Sequence, residues 1–337
     1  MVSTYAGAGV DIKHEEIAIK GIIDVVKKTF KNRAGKSGEV IADIGAFANV
    51  IDIGGGKALA MCTDGAGSKV LIAQYFKKYD TIGIDMVAMN VNDLLCIGAE
   101  PIALVDYLAV EKVKHTVLKD ISKGIYVGAN MANIAVIGGE TATLPEVIKG
   151  LNEGEGFDIA GTAIGLVDKD KIITGENIKA GDVVIGFKSS GIHSNGMTLA
   201  RKVLPKAFWS YLLVPTRIYV REILEILNKF NSDITGLAHI TGGGFRNLSR
   251  LSASGFTIDN LPQTPMIFSK IQKMGEVPDE EMYKTFNMGI GFCAVVKACA
   301  AAKIVEEYGS AFKCSIIGKV TEDRGVKIIK NKKEILL

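Results

Sequence analysis

The stretch DKDKIITGENIKAG at residues 168–181 constrains the fold of this chain more than any other feature. Charged and rich in turn formers, it interrupts a sequence that is otherwise built from apolar runs, and it reads as a domain boundary. Each side of it carries its own set of alternating strand-like and helix-like segments. Before it, KALAMCT (57–63), PIALVDYLAV (101–110), NIAVIG (133–138) and FDIAGTAIGLV (157–167) read as strands. Residues 17–30, with Ile19, Ile22, Ile23, Val26 and Phe30 at helical spacing, and residues 86–97 and 117–131 read as helices. After it come a strand at DVVIGF, a helix over 217–230, a strand at IGFCAVV (290–296) and a C-terminal helix–strand pair. A chain of 337 residues exceeds one ordinary core. The expectation is a two-domain α/β (α+β) protein, with domains at 1–170 and 171–337.

Composition removes several classes of function. The richest apolar stretch, 82–110, is cut by Asp85, Asp93, Glu100 and Asp106, so no segment reaches the ~18 apolar residues of a membrane span. The N-terminus has neither the basic region nor the apolar core of a secretory signal, which points to a cytoplasmic protein. The five cysteines show no CxxC spacing, and at least four of them sit in apolar runs, as buried thiols do. None of the four histidines is paired at i,i+4. A net charge of +3, dispersed along the chain, gives no footprint for nucleic acid.

What remains is a pattern suited to small anions. Asp64 in TDGAGSK, Asp93 in VND and Glu140 in GGET follow or sit on apolar elements beside small residues. Carboxylates so placed suit Mg²⁺, a hard cation that keeps water and phosphate oxygens in its shell. DGAGSK, SSGIHSNG and HITGGGF are glycine-rich turns, which bring backbone N–H groups close to phosphate oxygens because no Cβ intervenes. A tight turn needing positive φ explains any one of them alone. Three in one chain favour anions. The usual nucleotide motifs are missing: AGKSG at 34–38 would put the leading glycine of a P-loop at Phe30, and GAGVDI (7–12) lacks the third glycine of the Rossmann fingerprint. Ser194 lies in GIHSNG and not in the G-x-S-x-G of a nucleophile elbow. His239 reads as a hydrogen-bonded structural residue. Asp93 lies off the apolar stripe of Val87, Val91, Leu94 and Leu95, where it is free to face a cleft.

Motifs along nearly the whole chain carry a family resemblance. AGVDI (8–12), TDGAGSK (63–69), TIGIDMVAMNVNDLLCIGAEP (81–101), GGET (138–141), DIAGTAIG (158–165), GDVVIGFKSSGIHSNG (181–196), TRIYV (216–220), HITGGGF (239–245) and MYKTFNMGIG (282–291) resemble, in order and spacing, the phosphoribosylformylglycinamidine cyclo-ligases, also called aminoimidazole ribonucleotide synthetases. The resemblance implies ATP-dependent closure of an imidazole ring in purine biosynthesis, acting on formylglycinamidine ribonucleotide. It also implies a homodimer in which strands of a mixed N-terminal sheet pair across subunits, with ATP in a cleft between them.

By matching motifs, Asp64, Asp93 and Glu140 would hold Mg²⁺ and the ATP phosphates. Gly65, Gly67 and Thr141 would line the nucleotide site, and Lys69 would place a point charge on the phosphates. Ser190, Gly191, His193, Ser194 and Asn195, with Thr241, Gly242 and Gly243, would cradle the ribose phosphate of the substrate. The chain departs from the family at Tyr5, Ala6 and Gly7, in the glycine-poor SGEVIADIGAFANV, at Ala142–Thr143–Leu144, and in a short segment between Arg201 and Thr216. The same resemblance admits a thiamine-monophosphate kinase, or a non-catalytic nucleotide-binding subunit that keeps the fold. The family's selenide-activating and hydrogenase-maturation relatives need a cysteine near one terminus. The first cysteine here is Cys62, and the chain ends KEILL.

Overall fold

A computed structural model describes residues 12–337. Tyr5, Ala6, Gly7 and most of the AGVDI stretch therefore lie outside the described residues. The first half runs α1 (Ile12–Val26), β1 (Glu39–Val40), β2 (Asn49–Gly54), β3 (Lys57–Gly65), α2 (Val70–Phe76), α3 (Ile82–Leu95), β4 (Glu100–Val110), α4 (His115–Ala132), β5 (Ala135–Thr143) and β6 (Phe157–Asp168). Its six strands form one sheet in the order β1-β2-β3-β6-β4-β5. The sheet is mixed because β4 and β5, joined by the α4 crossover, run parallel while the other pairs are antiparallel.

The second half contributes β7 (Val183–Lys188), α5 (Met197–Val203), α6 (Val220–Phe230), β8 (Ile234–His239), β9 (Gly255–Ile258), α7 (Met266–Gly275), α8 (Asp279–Thr285), β10 (Ile290–Val296), α9 (Ala298–Phe312), β11 (Cys314–Thr321), β12 (Val326–Lys330) and β13 (Lys333–Leu336). These seven strands form a second sheet, in the order β13-β12-β9-β11-β7-β10-β8. Every residue of β8 and of β10 is buried.

The helix α3 joins the two halves. It packs on β3 and β6 of the first sheet, on α4, and on α6 and β8 of the second half. Only Ile84 and Asp93 along its length are not fully buried. The sequence gives this helix one apolar stripe; the structure instead buries it nearly all round, polar residues included, because both halves close on it. Asp85, Asn90 and Asn92 are fully buried, which is affordable only if each finds hydrogen-bond partners.

Smaller differences have simple causes. The expected helix at 17–30 is α-helical only to Val26 and continues as a 3₁₀ turn through Asn32, leaving Ile19 and Ile22 exposed. The helix expected from 217 starts at Val220, because the backbone of Tyr219 is held by Asn92 Oδ1 at 3.0 Å. Strand β8 escapes the sequence reading because ITGLAH is short and interrupted by glycine. It is identified only by its pairing with β10. All five cysteines are free thiols; four are buried, and Cys299 is exposed. Among the described residues no helix is long and apolar enough to cross a membrane.

Candidate active site

The glycine-rich turn after β3 and the GIHSNG turn after β7 face each other across a cleft of about 430 Å³. One wall is Asp64, Gly65, Gly67 and Ser68 from the first half, with Asp158–Ala160 from the start of β6. The other is Ser194–Thr198 from the second half. Residues that the sequence assigns to the nucleotide and residues that it assigns to the substrate therefore share one space. The two walls also touch directly, Ser68 Oγ to Thr198 Oγ1 at 3.2 Å.

Asp64 is held from behind by α3. Its N–H donates to Asn90 Oδ1 at 3.0 Å, and Asn90 Nδ2 donates to its carbonyl at 2.9 Å, so the Asn90 amide acts as a partner strand one residue long. The Asp64 carboxylate accepts the Gly65 N–H at 2.7 Å. Burial, together with the nearby negative charge of Asp93, pushes the Asp64 carboxyl up to about 6, against the pull of the Gly65 N–H and His239. Asp93 takes one hydrogen bond from outside its helix: His239 Nδ1 lies 2.8 Å from its Oδ1. Asn92 Nδ2 lies 3.4 Å from the other ring nitrogen and also donates to Arg217 O at 2.9 Å. Asp64 on the cleft wall, with the negative charge of Asp93 nearby, offers carboxylate oxygens of the kind a hard divalent cation takes.

The GIHSNG turn is shaped by sterics. Gly196 sits at φ +70°, and a Cβ there would fall 2.2 Å from the Phe286 ring, so the helix α5 can begin at this point only with glycine. Ser194 and Asn195 face the cleft, and Asn195 Nδ2 is buried with no hydrogen-bond partner. A buried, unspent donor is costly unless a ligand uses it. The TGGG turn adjoins it, since a Cβ on Gly242 would lie 3.1 Å from Asn195 Oδ1. Thr241 Oγ1 accepts from Asn247 Nδ2 at 3.1 Å. Asn287 ties down the start of the turn, donating to Gly191 O at 2.9 Å and accepting from Ser189 Oγ at 3.1 Å. Ser190 Oγ donates to Pro215 O at 2.5 Å.

Several expected site residues do not line this cleft, among them Asp93, Ser190, Gly191, Thr241, Gly242 and Gly243, and four are placed clearly elsewhere. Lys69 does not face the cleft: its ammonium is fully buried and donates to Asp85 Oδ1 at 2.8 Å, His193 O at 3.2 Å and Val214 O at 2.6 Å. Three N–H groups are all that an ammonium has, so none is left for a phosphate. The His193 ring is fully buried behind the turn, with Nε2 accepting the Ser190 N–H at 3.3 Å. Burial, reinforced by the charges of His239, Lys69 and Arg217, drives its pKa well below the usual histidine value, so the ring is neutral. Glu140 is not brought to Asp64 and Asp93 within one chain. It pairs with Tyr107, Tyr107 with Ala160, and Ala160 with Gly65. Three strand spacings of ~4.8 Å set it ~14 Å away. Glu140 and Thr141 instead line a separate groove of about 710 Å³ against α4. Among the described residues no group of three or more acidic, histidine or cysteine side chains is close enough to hold a metal.

The residues that the sequence reading missed are the buried polar ones of α3, above all Asp85, Asn90 and Asn92, together with Asn287 and the cleft carboxylate Asp158. The signal was present. Asn and Asp recur inside the otherwise apolar run DMVAMNVNDLL (85–95), where each must find a partner or serve a ligand.

Comparison with known proteins identifies the family. Residues 45–167 match the sequence model of the AIR synthase related protein N-terminal domain, and residues 179–331 that of the AIR synthase related protein C-terminal domain. The fold and these two matches thus define a two-domain α/β enzyme of the AIR synthase related class. Among curated proteins, the phosphoribosylformylglycinamidine cyclo-ligase of Thermococcus kodakarensis is 50% identical over 336 residues, covering 96% of this chain and 97% of its own length. That of Pyrococcus furiosus is 49% identical over 344 residues, covering 97% and 99%. The chain belongs to the phosphoribosylformylglycinamidine cyclo-ligase family. Among solved structures, the hydrogenase maturation protein HypE in complex with ATP superposes with a TM-score of 0.64 at 16% identity, covering 83% of this chain and 84% of that one. AaThiL complexed with AMPPCP and TMP gives 0.64 at 15% identity, covering 94% of each. At such identity the likeness is one of fold.

Proposed function

We infer that the protein is an ATP-dependent cyclo-ligase that converts formylglycinamidine ribonucleotide to 5-aminoimidazole ribonucleotide, releasing ADP and phosphate in de novo purine biosynthesis. The observation that carries this reading is the single cleft in which DGAGS from one half meets GIHSNG from the other, with Asp64 between them. In ATP-driven ring closure two anionic substrates must be held side by side. An amide-type formyl oxygen leaves poorly. It first takes the γ-phosphoryl of ATP, releasing ADP; the amidine nitrogen then attacks the activated carbon, the C–O bond breaks to release phosphate, and loss of a proton completes the ring. Such chemistry is mostly positioning and charge neutralisation.

The first domain, residues 1–170, is assigned to ATP, and the second, 171–337, to the substrate's phosphate. Asp64 and Asp93 would hold Mg²⁺, which supplies charge neutralisation at the phosphates. Gly65 and Gly67 let the backbone approach the nucleotide. Ser194 and Asn195, with the backbone of Gly242 and Gly243, are assigned to the ribose phosphate, and the unspent Asn195 amide supports this. The protein is further proposed to be a homodimer joined by the first domain. Strand β5 is an edge strand, exposed along nearly its whole length. Val136 and Ile137 on it, and Val105 and Tyr107 on β4, are exposed apolar side chains, a surface that proteins normally cover. Glu140 and Thr141 would join the nucleotide site only in such a dimer, by facing the cleft of the partner subunit.

The deciding experiment is a coupled assay of ADP release with the product identified by mass. Release that depends on formylglycinamidine ribonucleotide and yields the aminoimidazole is expected. Release without that substrate, or with thiamine monophosphate in its place, refutes the reading.

A further inference from the structure

Lys69 and Asp85 form an ion pair with both side chains at zero exposure, and neither lines the cleft. Stability alone is a poor reason for such a pair, because apolar residues of similar volume often serve a buried site as well or better. What distinguishes this pair is the set of atoms it holds. Asp85 Oδ1 accepts from the Thr216 N–H at 2.7 Å, from Thr216 Oγ1 at 2.7 Å and from Ser194 Oγ at 3.2 Å, in addition to Lys69 Nζ at 2.8 Å. Ser194 Oγ and Thr216 Oγ1 are themselves 3.0 Å apart. Lys69 spends its remaining N–H groups on the carbonyls of His193 and Val214. Two side chains of the first half therefore bind two separate loops of the second, at 193–194 and at 214–216.

The turn also needs holding. His193 sits at φ +63°, a left-handed conformation that a non-glycine residue adopts at a cost. Such conformations persist when their surroundings over-determine them. Here the His193 carbonyl is bonded by Lys69 and its ring nitrogen by the Ser190 N–H. The residues immediately following are Ser194 and Asn195, which enter the cleft.

We propose that Lys69 and Asp85 are positioning residues for substrate binding: a charged latch between the two halves that fixes Ser194 and Asn195 opposite Asp64 without touching either phosphate. The proposal rests on the assignment of the GIHSNG turn to the phosphorylated substrate. It accounts for a lysine beside a phosphate-type turn that has no N–H group to give to a phosphate.

The test is the double variant Lys69→Met/Asp85→Leu, which removes both charges together and so strands neither. With folding confirmed by circular dichroism and thermal melting, the KM for formylglycinamidine ribonucleotide is expected to rise about 10- to 100-fold, as small misplacements of binding groups do, while the KM for ATP stays within about 3-fold. A rise confined to the KM for ATP overturns the proposal by making Lys69 a nucleotide ligand. A folded variant with both constants unchanged overturns it by making the pair purely structural. Should the double variant not fold, Thr216→Val leaves both charges in place and removes one hydroxyl donor. Its expected effect is about 3- to 10-fold on the same KM alone, the size of one hydrogen bond, and no effect overturns the proposal. Asn195→Ala, measured in the wild-type and double-variant backgrounds, separates the two layers of inference. If the latch acts through the turn, the two effects are strongly non-additive. If Asn195→Ala changes only the KM for ATP in the wild type, the assignment of the turn has failed, whatever the latch does.

Discussion

Replacing Asp64 with Asn is expected to make the protein more stable and nearly inactive, and the stability gain is expected to depend on pH. The Asp64 carboxyl is raised from 3.8 to about 6 by burial and by Asp93. At ~1.4 kcal/mol per pH unit, its ionised form costs the folded state about 3 kcal/mol, an upper bound because the group stands at the mouth of an open cleft. The sign follows from linkage: between pH ~4 and ~6 the folded state binds more protons at this site than the unfolded chain, so its contribution to stability falls as pH rises through that window. Above it the penalty is complete; below it there is none. Asn keeps the shape, and its Oδ1 can still accept the Gly65 N–H that Asp64 accepts at 2.7 Å. Melting of the wild type and Asp64→Asn from pH 4 to 8, without divalent cations, is therefore expected to show coincident stability near pH 4. By pH 8 the variant should melt roughly 5 °C higher. Added Mg²⁺ should narrow the gap by stabilising the wild type alone. Activity of the variant should fall by about 10²–10³ in kcat. A gap that does not change with pH, or a variant less stable than the wild type at pH 8, would refute the electrostatic account.

Asp93→Asn should fold normally, because an amide oxygen can still accept from His239 Nδ1, yet lose about 10²–10³ in kcat and require more Mg²⁺; near-normal kinetics would leave the metal to Asp64. Asn195→Ala should raise the KM for formylglycinamidine ribonucleotide far more than that for ATP, and equal effects would move the turn to the nucleotide. Sedimentation should find a dimer that Ile137→Lys, on the exposed edge strand, dissociates. A stable and active wild-type monomer would contradict that assignment.

The sequence alone was sufficient for most of the alternation of elements and for the glycine-rich turns, because these depend on local periodicity and on backbone conformations that neighbouring residues enforce. It identified the family for a related reason: motifs such as VAMNVNDLL keep a fixed order and spacing that can be read without coordinates. Tertiary structure decided which charged groups are free to act. Lys69 looks like a phosphate ligand beside its turn, but the closing of the second half over α3 buries it against Asp85, and a buried ammonium must give its N–H groups to protein acceptors. His193 and Asn195 are two residues apart in one motif, yet one packs behind the turn and the other enters the cleft, because His193 takes a left-handed backbone that redirects the chain. Glu140 resembles Asp64 in sequence setting, but sheet order separates them by three strand spacings, and strand order is a property of long-range pairing that no local pattern encodes.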